Sequence, residues 1–68
     1  SLSPMNENGY LITPIILKFS KKDESLEFLN YIKNYANNIS LDKLDYTFEK
    51  ETNVERAFLF LSIYSKLY

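Results

Sequence analysis

The chain has 68 residues, a formal net charge of −1, and neither cysteine nor histidine. Without cysteine, disulfides and thiolate metal sites are excluded, and without histidine the commonest general base and metal ligand is missing. A chain of this length buries only about 60% of the surface that it exposes when unfolded, so small domains usually need a further stabilising device. Oligomerisation is the device that remains.

Residues 1–9 are largely polar, contain Pro4 and include Gly9, the only glycine of the chain. We expect them to form a flexible leader, because short polar termini with turn residues are seldom held in place. Residues 10–68 are then expected to form a single α+β domain.

A first strand is predicted over residues 10–19. Ile15, Leu17 and Phe19 fall on one face by the period of two that strands follow. Because Pro14 has no N–H to donate to a neighbouring strand, regular pairing is expected to begin after it.

A first helix is predicted over residues 20–38. Ser20 is the expected N-cap, with the carboxylate of Asp23 three residues later near the positive end of the helix dipole. Six apolar residues of the segment and its immediate continuation lie within one half of a helical wheel: Phe28, Leu29, Ile32, Tyr35, Ala36 and Ile39.

A second strand is predicted over residues 44–51 by strict alternation. Leu44, Tyr46 and Phe48 point one way, and Asp45, Thr47 and Glu49 point the other way. This pattern is typical of a strand with one solvated face.

A second helix is predicted over residues 52–68, where Thr52 and Glu55 fit a capping box, with Asn53 as an alternative cap. The helix would be apolar nearly all round. One face carries Val54, Ala57, Phe58, Leu61, Tyr64 and Tyr68, and a second face carries Leu59, Phe60, Ile63 and Leu67. Because a helix of this kind is normally covered on both sides, we expect the second face to bind a partner chain.

The predicted order is therefore strand–helix–strand–helix. Two strands alone are marginally stable in water, so we expect two copies to pair edge to edge into a four-stranded sheet with the helices packed on it. The alternative is that the chain is a piece of a larger protein whose remainder covers the second helix.

Catalytic chemistry is poorly supported by the residues present. The acidic residues Asp42, Asp45, Glu49 and Glu51 do not match a calcium-loop spacing and indicate a solvated face. The Ser–Lys neighbours, at 20–21 and 65–66, would not face each other on a helix, and no glycine-rich phosphate loop is present. We expect no catalytic, cofactor or metal site, and a chain that is not an enzyme.

The sequence thus favours an interaction or regulatory module, cytoplasmic and homodimeric or bound to another protein chain, with no membrane contact. The alternative is a nucleic-acid-binding dimer that uses Lys18, Lys21 and Lys22, although Asp23, Glu24 and Glu27 dilute their field. A third hypothesis is a small-molecule pocket at the dimer seam, lined by tyrosine and phenylalanine.

Overall fold

The computed structural model describes residues 3–67, which form an α+β structure of four strands and one helix. Their order is β1 (Met5–Glu7), β2 (Tyr10–Phe19), α1 (Lys22–Tyr35), β3 (Ile39–Glu49) and β4 (Val54–Lys66). The strands form one open antiparallel sheet in the spatial order β1-β2-β4-β3. The four strands thus come from a single chain, whereas the sequence analysis expected two copies to supply them.

The prediction of a second helix is wrong, because the segment from Val54 to Lys66 is β4. This strand lies between β2 and β3, so both of its edges are paired and both of its faces carry apolar residues. Thr52 and Asn53, the predicted caps, lie in the loop that joins β3 to β4. Asn53 has a φ of 56°, a left-handed conformation that asparagine tolerates better than most residues.

Residues 5–7, within the segment predicted to be a flexible leader, form β1 and pair with β2. Asn8 and Gly9 join the two strands with φ values of 52° and 82°. Positive φ at both central residues is what a type I′ hairpin turn requires, and Asn-Gly is its preferred sequence.

Strand β2 is regular through Pro14, which pairs with Ser62, so the expectation that pairing begins after the proline is wrong. Strand β1 reaches only as far as Ile12. Among the described residues, Pro14 therefore has a strand neighbour on one side only, an edge position in which proline is tolerated.

Helix α1 is shorter than predicted at both ends. Lys21, not Ser20, occupies the N-cap position, and no side chain of that residue caps the helix. At the other end Ala36 is already extended, and Ile39 begins β3 instead of continuing the helix. Asparagines at 37 and 38 favour turns, which accounts for the earlier end.

Helix α1 packs on one face of the sheet, here called the covered face. Ile32 of the helix meets Leu59 and Leu61 of β4, and these three are at most 7% exposed. Partly buried apolar residues surround them: Ile15, Leu17, Phe19, Phe28, Leu29, Ala36 and Ile39. The predicted inward set of the first strand is therefore confirmed.

The opposite face, here called the open face, carries the residues that alternate with this core. Directly opposite residues in a ladder share a face, which places Ile16 with Phe60 and Lys18 with Phe58 on the open face. Apolar and charged side chains are therefore mixed there.

Candidate interaction surface along strand β3

Strand β3 lies at the end of the sheet and pairs with β4 on one side. No strand within residues 3–67 pairs with its other side. The backbone N–H and C=O groups that point outward from this edge can therefore accept another strand.

An apolar row follows this edge on the covered face. Leu41, Leu44, Tyr46 and Phe48 are 44%, 36%, 37% and 48% exposed. They share the covered face because their ladder partners are Leu61, Leu59, Ala57 and Glu55. Helix α1 packs chiefly against β4 and β2, so this row receives little cover.

A groove runs between the row and the helix. Its volume is about 340 Å³, and it is lined by Leu29, Ile32, Lys33 and Ala36 of α1 and by Ile39 and Leu41 of β3. Leu26, three residues before Leu29 on the helix, is 45% exposed. The free edge, the apolar row and this groove together are called the β3 surface below.

The side chains of β3 on the open face are polar or charged: Lys43, Asp45, Thr47 and Glu49. The Lys43 ammonium lies 4.0 Å from an Asp45 carboxylate oxygen and 5.3 Å from the centre of the Phe60 ring. The lysine side chain is 64% exposed and the aspartate side chain is 50% exposed, so this ion pair contributes little stability.

An irregularity divides β3 near its middle. The register against β4 shifts between Leu41 and Lys43, which leaves Asp42 without a ladder partner. The Asp42 carboxylate accepts hydrogen bonds from the hydroxyl groups of Ser62 at 2.5 Å and Ser40 at 3.5 Å. The regular part of the strand therefore spans residues 43–49.

Glu55 links α1 to β3. One carboxylate oxygen accepts a hydrogen bond from the Lys22 backbone N–H, and the other accepts one from the Tyr46 hydroxyl, each at 2.9 Å. These bonds favour the charged carboxylate and so lower the pKa of Glu55, and the bond from the Lys22 N–H has the larger effect. The same contact raises the pKa of Tyr46, because its hydroxyl proton is held by the carboxylate.

Strand β2 has a free edge of a different kind. Beyond Ile12 none of residues 3–67 pairs with it on the β1 side, and there it carries Pro14 and Lys18. Proline and lysine are the residues with which natural sheets discourage further pairing. Strand β3 has no proline; its one lysine, Lys43, lies beside Asp45 on the open face, and the apolar row has no charge.

The four residues predicted to form a partner interface do not share one surface. Leu59 is fully buried beneath α1, and Ile63 lies on the same covered face. Phe60 lies on the open face, and Leu67 follows β4 and donates its N–H to the Gly9 carbonyl at 3.0 Å. The helical wheel grouped them, but a strand alternates them, and their role as partner contacts stays a prediction.

The three lysines predicted as nucleic-acid contacts are also divided. Lys18 and Lys21 line a cavity of about 460 Å³ at one end of the sheet, together with Arg56 and Glu55. The Lys22 ammonium instead lies 5.3 Å from the centre of the Tyr46 ring. Their contact with nucleic acid likewise stays a prediction.

Part of the β3 surface was predictable from the sequence, but its exposure was not. The prediction that Leu44, Tyr46 and Phe48 share one face is confirmed, whereas the second helix that would have covered them is absent from residues 3–67. Leu41 was missed, although the alternation from Ile39 to Leu41 after two asparagines could have extended the strand.

Within residues 3–67, no group of three or more carboxylate, histidine or cysteine side chains is arranged to hold a metal ion. In the same part of the chain, no helix has the length and apolar character needed to span a membrane.

Comparison with protein families, with curated proteins and with solved structures finds no match to this chain.

Proposed function

We propose that this chain is a small non-enzymatic interaction module of the cytoplasm that binds a protein partner by accepting a strand at β3. The observation that carries the proposal is the free edge of β3 beside an apolar row that α1 leaves exposed. In strand addition, backbone hydrogen bonds supply affinity, and pockets for alternate side chains supply specificity. The β3 surface offers both.

The dimensions of the chain show that much of its apolar surface is left uncovered. It exposes 5390 Å², whereas a monomeric protein of 8.1 kDa exposes roughly 4500 Å². The surplus of roughly 900 Å² resembles the ~800 Å² that each partner buries in a standard interface. The radius of gyration is 14.2 Å, against about 11 Å for a compact domain of this length.

A selection of random peptides displayed on phage and panned against the immobilised chain tests this proposal without a known partner. We expect the enriched peptides to alternate apolar and polar residues, as a strand beside the apolar row must. Their binding should be lost in Leu44→Lys, which places a charge in that row, and kept in Ile16→Lys.

Ile16 is the matched control, because it is 43% exposed and lies on the open face. If no peptide is enriched, or if binding depends on Ile16 and not on Leu44, strand addition at β3 is not the function.

A second candidate is the binding of single-stranded nucleic acid on the open face. It is supported by the partly exposed rings of Phe58 and Phe60, which lie next to Lys18 and Lys43 there, because aromatic rings flanked by cations can stack bases. Asp45, opposite Phe58, and the net charge of −1 oppose it.

Retention on heparin separates the two candidates. If the chain binds nucleic acid, it should be retained on heparin at low salt and elute as the salt concentration rises. The double variant Lys18→Gln/Lys43→Gln should then no longer be retained. We expect the wild type to pass through near physiological salt, and strong retention there would favour the second candidate.

A further inference from the structure

We propose that the strand accepted at β3 is β3 of a second copy of this chain, paired antiparallel about a two-fold axis at Tyr46. This inference rests on the proposed function and names its partner. Residues 43–49, the regular part of the strand after the irregularity at Asp42, are self-complementary.

In this register, the polar and charged residues on the open face of β3 pair favourably with those of the second copy. Lys43 lies opposite Glu49 of the second copy, and the two-fold axis generates the same pair again. Asp45 lies opposite Thr47 of the second copy, where a hydroxyl group can donate to the carboxylate. Opposite charges directly across a ladder stabilise pairing, and like charges destabilise it.

The apolar row is also self-complementary in this register. Leu44 lies opposite Phe48 of the second copy, and Tyr46 lies opposite Tyr46 of the second copy. Pairs of aromatic and branched residues directly across a ladder are favourable. All residues from 43 to 49 find a partner of matching character.

Neighbouring registers are worse. Centring the axis on Asp45 places that carboxylate opposite its own copy, and centring it on Thr47 places Asp45 opposite Glu49 twice. Centring on Leu44 or Phe48 leaves only a short overlap of the regular segment, and the bulge at Asp42 interrupts the former.

The geometry of the chain permits this dimer. A two-fold axis perpendicular to the sheet keeps both α1 helices on the same side and joins two four-stranded sheets into one of eight strands. The charge and apolar rows then continue across the junction on their own faces.

Cysteine cross-linking tests the register, because the chain contains no natural cysteine. In the proposed dimer the two Cα atoms of residue 46 are about 4.5–5.5 Å apart, a distance that a disulfide spans. Tyr46→Cys should therefore form a covalent dimer under mild oxidation. Asp45→Cys is the matched control, since its two copies would be roughly 8 Å apart, too far for a disulfide.

Charge reversal tests the ion pairs without removing Tyr46. Lys43→Glu and Glu49→Lys should each raise the dimer dissociation constant roughly tenfold or more, because each variant opposes like charges twice. The double variant Lys43→Glu/Glu49→Lys should restore dimerisation. A mixture of the two single variants should form a heterodimer, in which both ion pairs are again opposite in sign.

Each outcome decides between specific possibilities. Cross-linking at 45 but not at 46 would overturn the register. A wild type that sediments as a monomer at every concentration would overturn self-pairing. If that monomer still binds Leu44-dependent peptides, the proposed function survives with a different partner; if it binds none, both fail.

Discussion

Glu55 of β4 accepts a 2.9 Å hydrogen bond from the backbone N–H of Lys22, the first residue of α1. The first N–H groups of a helix have no partner within the helix, and here a carboxylate from the sheet satisfies one of them. It also lies near the positive end of the helix dipole. This contact fixes the start of α1 on the sheet, and thereby one wall of the groove beside β3.

Removing the Glu55 carboxylate should lower stability. In Glu55→Ala the Lys22 N–H and the Tyr46 hydroxyl both lose their acceptor, so the midpoint of urea unfolding should fall. Glu51→Ala is the control, because Glu51 is an exposed residue of the β3–β4 loop. This substitution should change the free energy of unfolding by no more than about 0.5 kcal/mol. Equal midpoints for the two variants would show that Glu55 does not anchor the helix.

The same carboxylate should make stability depend on acid pH. The pKa of Glu55 is lowered in the folded state, chiefly by the hydrogen bond from the Lys22 N–H. The charged carboxylate therefore makes its full contribution to folding stability above the ordinary glutamate pKa. This contribution is lost as the pH falls from the ordinary glutamate pKa through the lowered pKa of the folded state. Melting temperatures across the acid range should fall less steeply in Glu55→Gln than in the wild type, whereas Glu51→Gln should follow the wild type.

Tyr46 should add an alkaline component of the opposite sign. Its pKa is raised in the folded state by the hydrogen bond to Glu55, so its contribution is complete below the ordinary tyrosine pKa. That contribution is lost as the pH rises through the raised value. Melting temperatures measured above about pH 10 should therefore fall more steeply in the wild type than in Tyr46→Phe. Parallel curves would contradict the contact.

The two faces of β4 should respond differently to truncation. Leu59 is fully buried on the covered face, so Leu59→Ala should lower the free energy of unfolding by about 2–5 kcal/mol. This is a large part of the roughly 5–15 kcal/mol that a folded domain usually has as its total free energy of unfolding. Phe60 is partly exposed on the open face, so Phe60→Ala should cost less, although its ring is larger. Chemical denaturation of both variants measures the order, and the reverse order would contradict the assignment of faces.

The alternating strands were predictable from the sequence. In residues 44–48, and in residues 15–19 apart from Ile16, the period of two separates apolar from polar positions, because one face of each strand meets the core and the other does not. The structure confirms these faces. It does not confirm complete burial of the second set, since one helix lies over the two inner strands and leaves β3 uncovered.

Strand β4 was mispredicted for a physical reason. A central strand with apolar residues on both faces loses the alternation that marks a half-buried strand, and the run from Ala57 to Leu61 then fits a helix equally well. The apolar character all round the predicted helix was itself a signal of such a strand. The interface prediction depended on helical spacing, which explains why its four residues separate.

Strand β1 could have been found. The dipeptide Asn8-Gly9 is a strong signal for a two-residue hairpin turn, and it precedes a strand that was already predicted. The preceding arm is only three residues long and exposed, so its composition resembles a flexible terminus.

Residue-resolved amide hydrogen exchange along β3, measured over a range of protein concentration, shows whether another strand pairs with this edge. In a lone chain, the outward-pointing amides of residues 43–49 exchange freely, because no strand accepts their hydrogen bonds. We expect these amides to gain protection as the concentration rises, and to remain unprotected in Lys43→Glu at the same concentrations. The contradicting result is free exchange of these amides at every concentration and with every selected peptide, while the amides between β2 and β4 stay protected. In that case β3 does not accept a strand.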